Sequence, residues 1–230
     1  MGGLLALNLA SAGCRVVTLG ETPLRGGFDH VASDFRSRAE ADRALAAAVS
    51  VLGRLDALVH AASLPDQPLL VSTEKMSEAE WVEASEAPVL RALFALQAAY
   101  PHLSSSGGRI VLVQPTIGVS GMPGGTAISS AVEGQRILGK VAARQWGASG
   151  ISVNFLLVSL ELAMPGVEDM SLIKKLAEIG TGYVPPAQRP VGGSDVTRDV
   201  SPLVEFLASP AGGRMTGQTL VADGGIWMLP

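Results

Sequence analysis

The 230 residues suit one well-buried domain, and 47% hydrophobic against 17% charged residues is the composition of a sheet covered on both faces, not of a disordered chain. A net charge of −4 removes the electrostatic case for nucleic acid or an anionic membrane as a partner, so neither is expected. One cysteine, Cys14, excludes an internal disulfide framework and suits a reducing, cytoplasmic setting; with only three histidines beside it and no ligand spacing among them, no metal site is expected.

In chain order, Gly3 to Ala12 predicts a helix stopped at Gly13. Its apolar run before Cys14 has some likeness to a lipoprotein signal, but no positive charge precedes it, so the helix is the expectation. A strand near Arg15 to Leu19 and a Pro/Gly loop from Gly20 to Gly27 follow, then a short strand at His30 to Ala32 and a turn at Asp34. Ala39 to Leu52 is Ala-rich and helical, stopped by Gly53, and Leu55 to His60 is the next buried strand. Ser77 to Glu80 resembles a capping box opening a helix from Glu78 to Leu103, in which Pro88 predicts a kink or break.

Ile110 to Val113 is an apolar, β-branched run, followed by a loop with five glycines and prolines: Gly118, Gly121, Pro123, Gly124 and Gly125. An Ala-rich helix, Thr126 to Trp146, and a second buried run, Ile151 to Leu157, complete a βαβ unit. The loop of such a unit lies where ligands meet chemistry. Here it offers Ser120, Thr126, Ser129 and Ser130 but no Tyr, Lys, His or Cys for proton transfer. A helix at Glu168 to Ile179, a Pro/Gly-rich excursion from Gly180 to Ser194 with the character of a lid, a helix at Asp195 to Leu207 and a strand at Gln218 to Ala222 close the chain. No run is apolar for long enough to span a bilayer.

The order and spacing of GGLLALNLASAGCRVV, SDF, LGRLDALVHAA, MSEAEW, GMPG, GASGISVN and FLASPAGGRMTGQTLVADGG resemble the short-chain dehydrogenase/reductase family over essentially the whole chain, 1–230. The resemblance implies one α/β domain with a single doubly wound parallel sheet of Rossmann type. It also implies NAD(P) binding and an Asn-Ser-Tyr-Lys group that moves a proton while a hydride moves to or from a nicotinamide. Placed on this sequence, those four positions fall on Pro88, Pro115, Ile128 and Val132, none of which can exchange a proton. On the cofactor side only remnants match: Gly2 for the last glycine of the pyrophosphate loop, Glu21 one place beyond the strand end where an acid should hold the ribose, and Asp34 at the adenine-facing position. The family's first strand would precede Met1, so either the start was assigned internally or the sheet lacks that strand.

These losses lead to an expected pseudoenzyme: a non-catalytic subunit binding no cofactor itself, paired with an active NAD(P)-dependent paralogue in a hetero-oligomer. The pairing would use a four-helix bundle of 78–103 and 126–146, with Leu90, Phe94, Ile128, Leu138 and Val141 available to core or interface. Two alternatives stand beside it. One is an oxidoreductase or lyase with a non-standard site, drawn from His60 with Ser129, Ser130 and Glu133, or from Tyr183 in the lid. The other is a sensor that binds an apolar small molecule over the floor that Ile128 and Val132 make greasy.

Overall fold

The computed structural model describes residues 1–61, 70–163, 178–179, 191–192 and 195–227. Helix α1 (Gly2–Ser11) leads to strands β1 (Val17–Gly20) and β2 (Asp29–Ala32), helix α2 (Arg38–Leu52) and strand β3 (Ala57–Ala61). Helices α3 (Glu78–Trp81) and α4 (Ala87–Leu103) flank a π-helical turn, Val82–Glu86, and strand β4 (Gly108–Pro115) follows. Then come α5 (Ile117–Ser120), α6 (Thr126–Trp146), β5 (Ile151–Val158), α7 (Leu160–Ala163), a second π-helical turn (Val196–Val200), α8 (Ser201–Ala208) and β6 (Thr219–Ala222). The expected helix at 168–179 and the expected lid loop fall almost wholly outside the described residues, and Tyr183 lies among those not described.

Every strand pairing is parallel, as the Rossmann-type expectation requires, but the ladder is in two pieces: β1 with β2, and β3-β4-β5-β6 in that order. The division falls where the expected first strand would lie, and no described strand hydrogen-bonds β1 to β3. Side chains carry the connection instead. Helix α2 packs on β1, β2 and α4. One core layer joins Ala41 and Leu45 of α2 to Leu58, Leu96, Ile110, Leu112 and Phe155, with Leu19 of β1 against it. On the other face Leu5 of α1, Val111, Val113, Leu156, Val200 and Val204 form a second layer.

Strands β4 and β5 are the centre: Ile110 to Val113 and Val153 are fully buried, as are Phe155 to Val158. Their near-continuous apolar run is what burial on both faces demands. Helix α6 approaches β5 closely enough that a Cβ on Gly139 would sit 2.6 Å from Phe155 Cζ. Tyr100 and Trp146 pack ring against ring, 5.0 Å between centroids, pinning α4 to α6.

The local signals act as their chemistry requires. Ser37 Oγ accepts from the Glu40 amide at the start of α2, and Gly53, at φ +84°, ends it. Ser77 and Glu80 make the reciprocal capping box. The kink or break expected at Pro88 takes the form of a π-helical turn, Val82–Glu86, just before it. Proline has no N–H and its ring crowds the carbonyl four residues back. The chain admits an extra residue in the preceding turn, so that the Ala87 amide reaches Val82 O, and α4 resumes with Pro88 in its first turn.

Candidate functional site

The C-terminal ends of β4 and β5 and the start of α6 enclose the positions singled out from the sequence. Ile128 and Val132 are fully buried and pack with Leu70, Ile117 and Met122, with Leu160, Ala163 and Ile179 around them. Ile128 is therefore core and not interface, and the same holds in part for Phe94 and Leu138, which lie against the core; Leu90 and Val141 are exposed. The floor is filled by these side chains. Thr73 and Thr126 bring their hydroxyls within 2.7 Å, and the Val71 amide donates to Gly124 O, so the 70–75 segment closes onto the glycine loop.

Two residues that the sequence reading passed over connect the family positions. Gln114, next to Pro115 in β4, donates from Nε2 to Val132 O at 3.3 Å and to Gln135 Oε1 at 3.1 Å. Gln135 donates from its own Nε2 to Pro88 O at 3.3 Å. Both glutamines are fully buried, and Gln114 Oε1 is left without a partner. Two of the four positions, Pro88 and Val132, are thus joined through two amides, and Pro115 is the chain neighbour of one of them. The available signal was polarity out of place: a glutamine ending an apolar strand and another on the inward face of an apolar helix.

The arrangement sketched from His60, Ser129, Ser130 and Glu133 does not form. His60 is in register with Leu112 on β4 and shares its face with Leu58, toward α2 and α4. Its Nε2 is buried without a partner, and burial pushes the imidazole down from 6.5 to about 4, so it is neutral at physiological pH. Ser129 Oγ donates to Ile117 O at 3.1 Å, and Glu133 pairs with Arg136 through Oε2. Ser129 and Glu133 do converge on α5. Glu133 Oε1 is buried, unpartnered, and lies against Gly118, where an added Cβ would come within 2.7 Å of it.

The remnants on the cofactor side are Gly2, Glu21 and Asp34. A Cβ added at Gly2 or Gly20 meets nothing within 4 Å, so both face open space. Glu21 is exposed beyond β1. Asp34 is turned onto its own loop: Oδ1 accepts from the Arg36 amide at 2.9 Å and Oδ2 pairs with the Arg36 guanidinium at 2.8 Å. That amide, a hydrogen bond with Glu40, and the charges of Arg36 and Arg91 hold its carboxyl below the usual carboxylate range. Among the described residues no three His, Cys, Asp or Glu side chains gather as a metal site, and no helix is long and apolar enough to cross a membrane.

Parallel strands joined by helices, with the loops after β4 and β5 meeting at one edge, define a Rossmann-type dehydrogenase frame. The comparisons with known proteins agree. The chain belongs to the short-chain dehydrogenase/reductase family: the family model described as enoyl-(acyl carrier protein) reductase matches residues 5–227. It is 27% identical over 241 residues to the 3-oxoacyl-[acyl-carrier-protein] reductase FabG of Vibrio cholerae, covering 100% of this chain and 93% of that protein. To the FabG of Staphylococcus aureus it is 32% identical over 185 residues, covering 78% of this chain and 69% of that one. The structure of a short-chain type dehydrogenase/reductase from Mycobacterium ulcerans superposes with a TM-score of 0.80 at 23% identity, covering 98% of this chain and 84% of that one, which shows the shared fold.

These findings overturn the expectation of a non-catalytic subunit. The relatives are named reductases and dehydrogenases, they match across the chain, and none of them marks a pseudoenzyme or a hetero-oligomer. Loss of the four expected side chains is thus a change within a family of oxidoreductases.

Proposed function

We propose that this chain is an oxidoreductase that interconverts a ketone and a secondary alcohol on an apolar, acyl-type substrate, using a non-standard active site at the loop after β4. The observation that carries the reading is the family match over residues 5–227, with relatives named as acyl reductases. The floor of Ile117, Met122, Ile128 and Val132 supports an apolar substrate. Glu133, with one buried oxygen free above α5, is the group proposed to exchange the proton at the substrate oxygen, with Ser129 beside it to orient that oxygen. The resemblance implies NAD(P) as the hydride carrier, and a carrier of that kind would supply the hydride. Only the proton side is assigned to groups of this chain.

Assembly with a second short-chain dehydrogenase chain, identical or not, through α4 and α6 is proposed alongside. Ile137 and Val141 leave 60% and 47% of their surface exposed on α6, which supports a helical interface that does not require this chain to be inert. The test of function is turnover of a 3-oxoacyl thioester with NADH or NADPH by the purified protein. Turnover that falls roughly a hundredfold in Glu133→Gln is the expected result. Turnover indifferent to Glu133→Gln removes that residue from the chemistry, and no turnover with either dinucleotide overturns the reading.

A further inference from the structure

We infer that a cleft between the turn after β2 and helix α4 binds a small oxyanion, a phosphate or a carboxylate, on Arg91. The cleft measures about 130 Å³ and is lined by Phe35, Arg36, Glu83, Ala87, Leu90 and Arg91. Arg91 carries the argument. Its side chain is only 19% exposed, and among the described residues its Nε is buried with no hydrogen-bond partner and its sole ion pair is a loose one, 3.9 Å from Nη2 to Glu83 Oε1. A guanidinium always carries its charge and presents a planar set of donors, and one withdrawn from water without acceptors for them is costly.

The neighbouring acids give Arg91 no hydrogen bond. Asp34 is near enough for its carboxyl to be lowered by the charge of Arg91, but its oxygens are held by the main chain and side chain of Arg36. Glu83 has 71% of its side chain in water and is too distant from Arg91 for a hydrogen bond. An oxyanion entering the cleft would find the guanidinium of Arg91, that of Arg36 at the rim, and Phe35 as an apolar wall. An arginine can bind a planar carboxylate or a phosphate through paired N–H groups.

Place and local backbone agree with a ligand site. Phe35 is the one non-glycine residue among those described with a positive φ, +55°, and it is held there with its amide donating to Ser33 Oγ at 3.2 Å. The cleft follows the C-terminal end of β2 and flanks the first turns of α4, so it opens at the same sheet edge as the loop after β4. It is separate from the apolar floor around Ile128 and does not depend on the proposed chemistry there.

Titration of uniformly labelled protein with sodium phosphate, and in parallel with sodium acetate, at ionic strength held constant with sodium chloride, tests the inference. The readouts are the Arg91 Nε–H signal and the main-chain amides of Phe35 and Arg36. A saturable shift with either probe is expected, phosphate and acetate deciding which oxyanion the cleft prefers. Arg91→Met should abolish it, and Arg36→Gln, at an exposed site that keeps the fold, should weaken it roughly fivefold. Absence of a saturable shift with both probes, or a shift that survives both substitutions unchanged, overturns the site.

Discussion

Gln135 Nε2 donates to Pro88 O at 3.3 Å, so helix α6 grips helix α4 at a residue that has no amide hydrogen of its own. Gln114 completes the link from the other side by donating to Gln135 Oε1. Truncating Gln135 strands a buried carbonyl and a buried amide together. Gln135→Leu should lower stability by about 2 kcal/mol in urea denaturation. Gln114→Leu combined with it should cost clearly less than the two single changes added, because the pair is one network. Strict additivity would show that the hydrogen bonds carry no coupling energy.

Restoring the family side chains should damage the protein. Ile128 and Val132 are fully buried among Leu70, Ile117 and Met122. Val132→Lys drives a charged ammonium into an apolar, filled floor, and Ile128→Tyr adds a ring and a hydroxyl to the same site. A loss of roughly 3 kcal/mol or more is expected for Val132→Lys by thermal or urea unfolding. A stable Val132→Lys protein would mean that the floor opens to water far more readily than its burial implies.

His60 makes stability depend on pH. Its folded pKa, about 4, lies below the ordinary 6.5, because burial disfavours the imidazolium. Between those values the unfolded chain holds more protons than the folded one, so stability rises with pH through that window and falls as pH drops from 6.5 toward 4. Below about 4 this contribution changes no further. The full swing is roughly 3 kcal/mol, at about 1.4 kcal/mol for each pH unit. Urea midpoints measured between pH 6.5 and about 5, above the range where the lowered carboxyls such as Asp34 take up protons, should slope clearly less in His60→Leu than in the wild type; equal slopes would assign the dependence to other groups.

Gly139 tests how tightly α6 is seated on β5. A methyl group there would lie 2.6 Å from Phe155 Cζ, within a ring that has no room to retreat inside the core. Gly139→Ala should therefore destabilise by about 1–3 kcal/mol, although alanine is the better helix former. Gly3→Ala, which meets nothing within 4 Å, is the control and should be neutral or slightly stabilising in the same melt.

The frame was readable because it is written in patterns that recur along the chain. Apolar β-branched runs at 110–113 and 151–157, the Ser77–Glu80 box and the Gly53 stop each state a local preference, and the structure makes them all. Pro88 announces a kink or break in the helix, but the proline rule does not say that it takes the form of an extra residue in the preceding turn. The site was read mainly through absence. Counting lost side chains at Pro88, Pro115, Ile128 and Val132 gave a non-catalytic subunit, whereas the relatives are named enzymes. Gln114, Gln135 and Arg91 escaped notice because their meaning comes from contacts between distant segments, 114 with 135, 135 with 88, 91 with 35. His60 was drawn toward Ser129 and Glu133, but alternation along β3 turns it to the face shared with Leu58.

The division between β1–β2 and the four-strand ladder bears on how the molecule breathes. With no main-chain bond across the division among the described residues, the smaller unit is held by α2 against α4 and by Leu19 against the core, and those contacts can part while β3 to β6 stay intact. Residues 17–52 would then form a cooperative opening unit of their own, with amide protons that exchange well before those of β4 and β5. Because Phe35 and Arg36 ride on that unit, while Arg91 belongs to the other, each opening event would also take apart the oxyanion cleft. Binding there would act as a clasp, slowing exchange across the whole 17–52 segment.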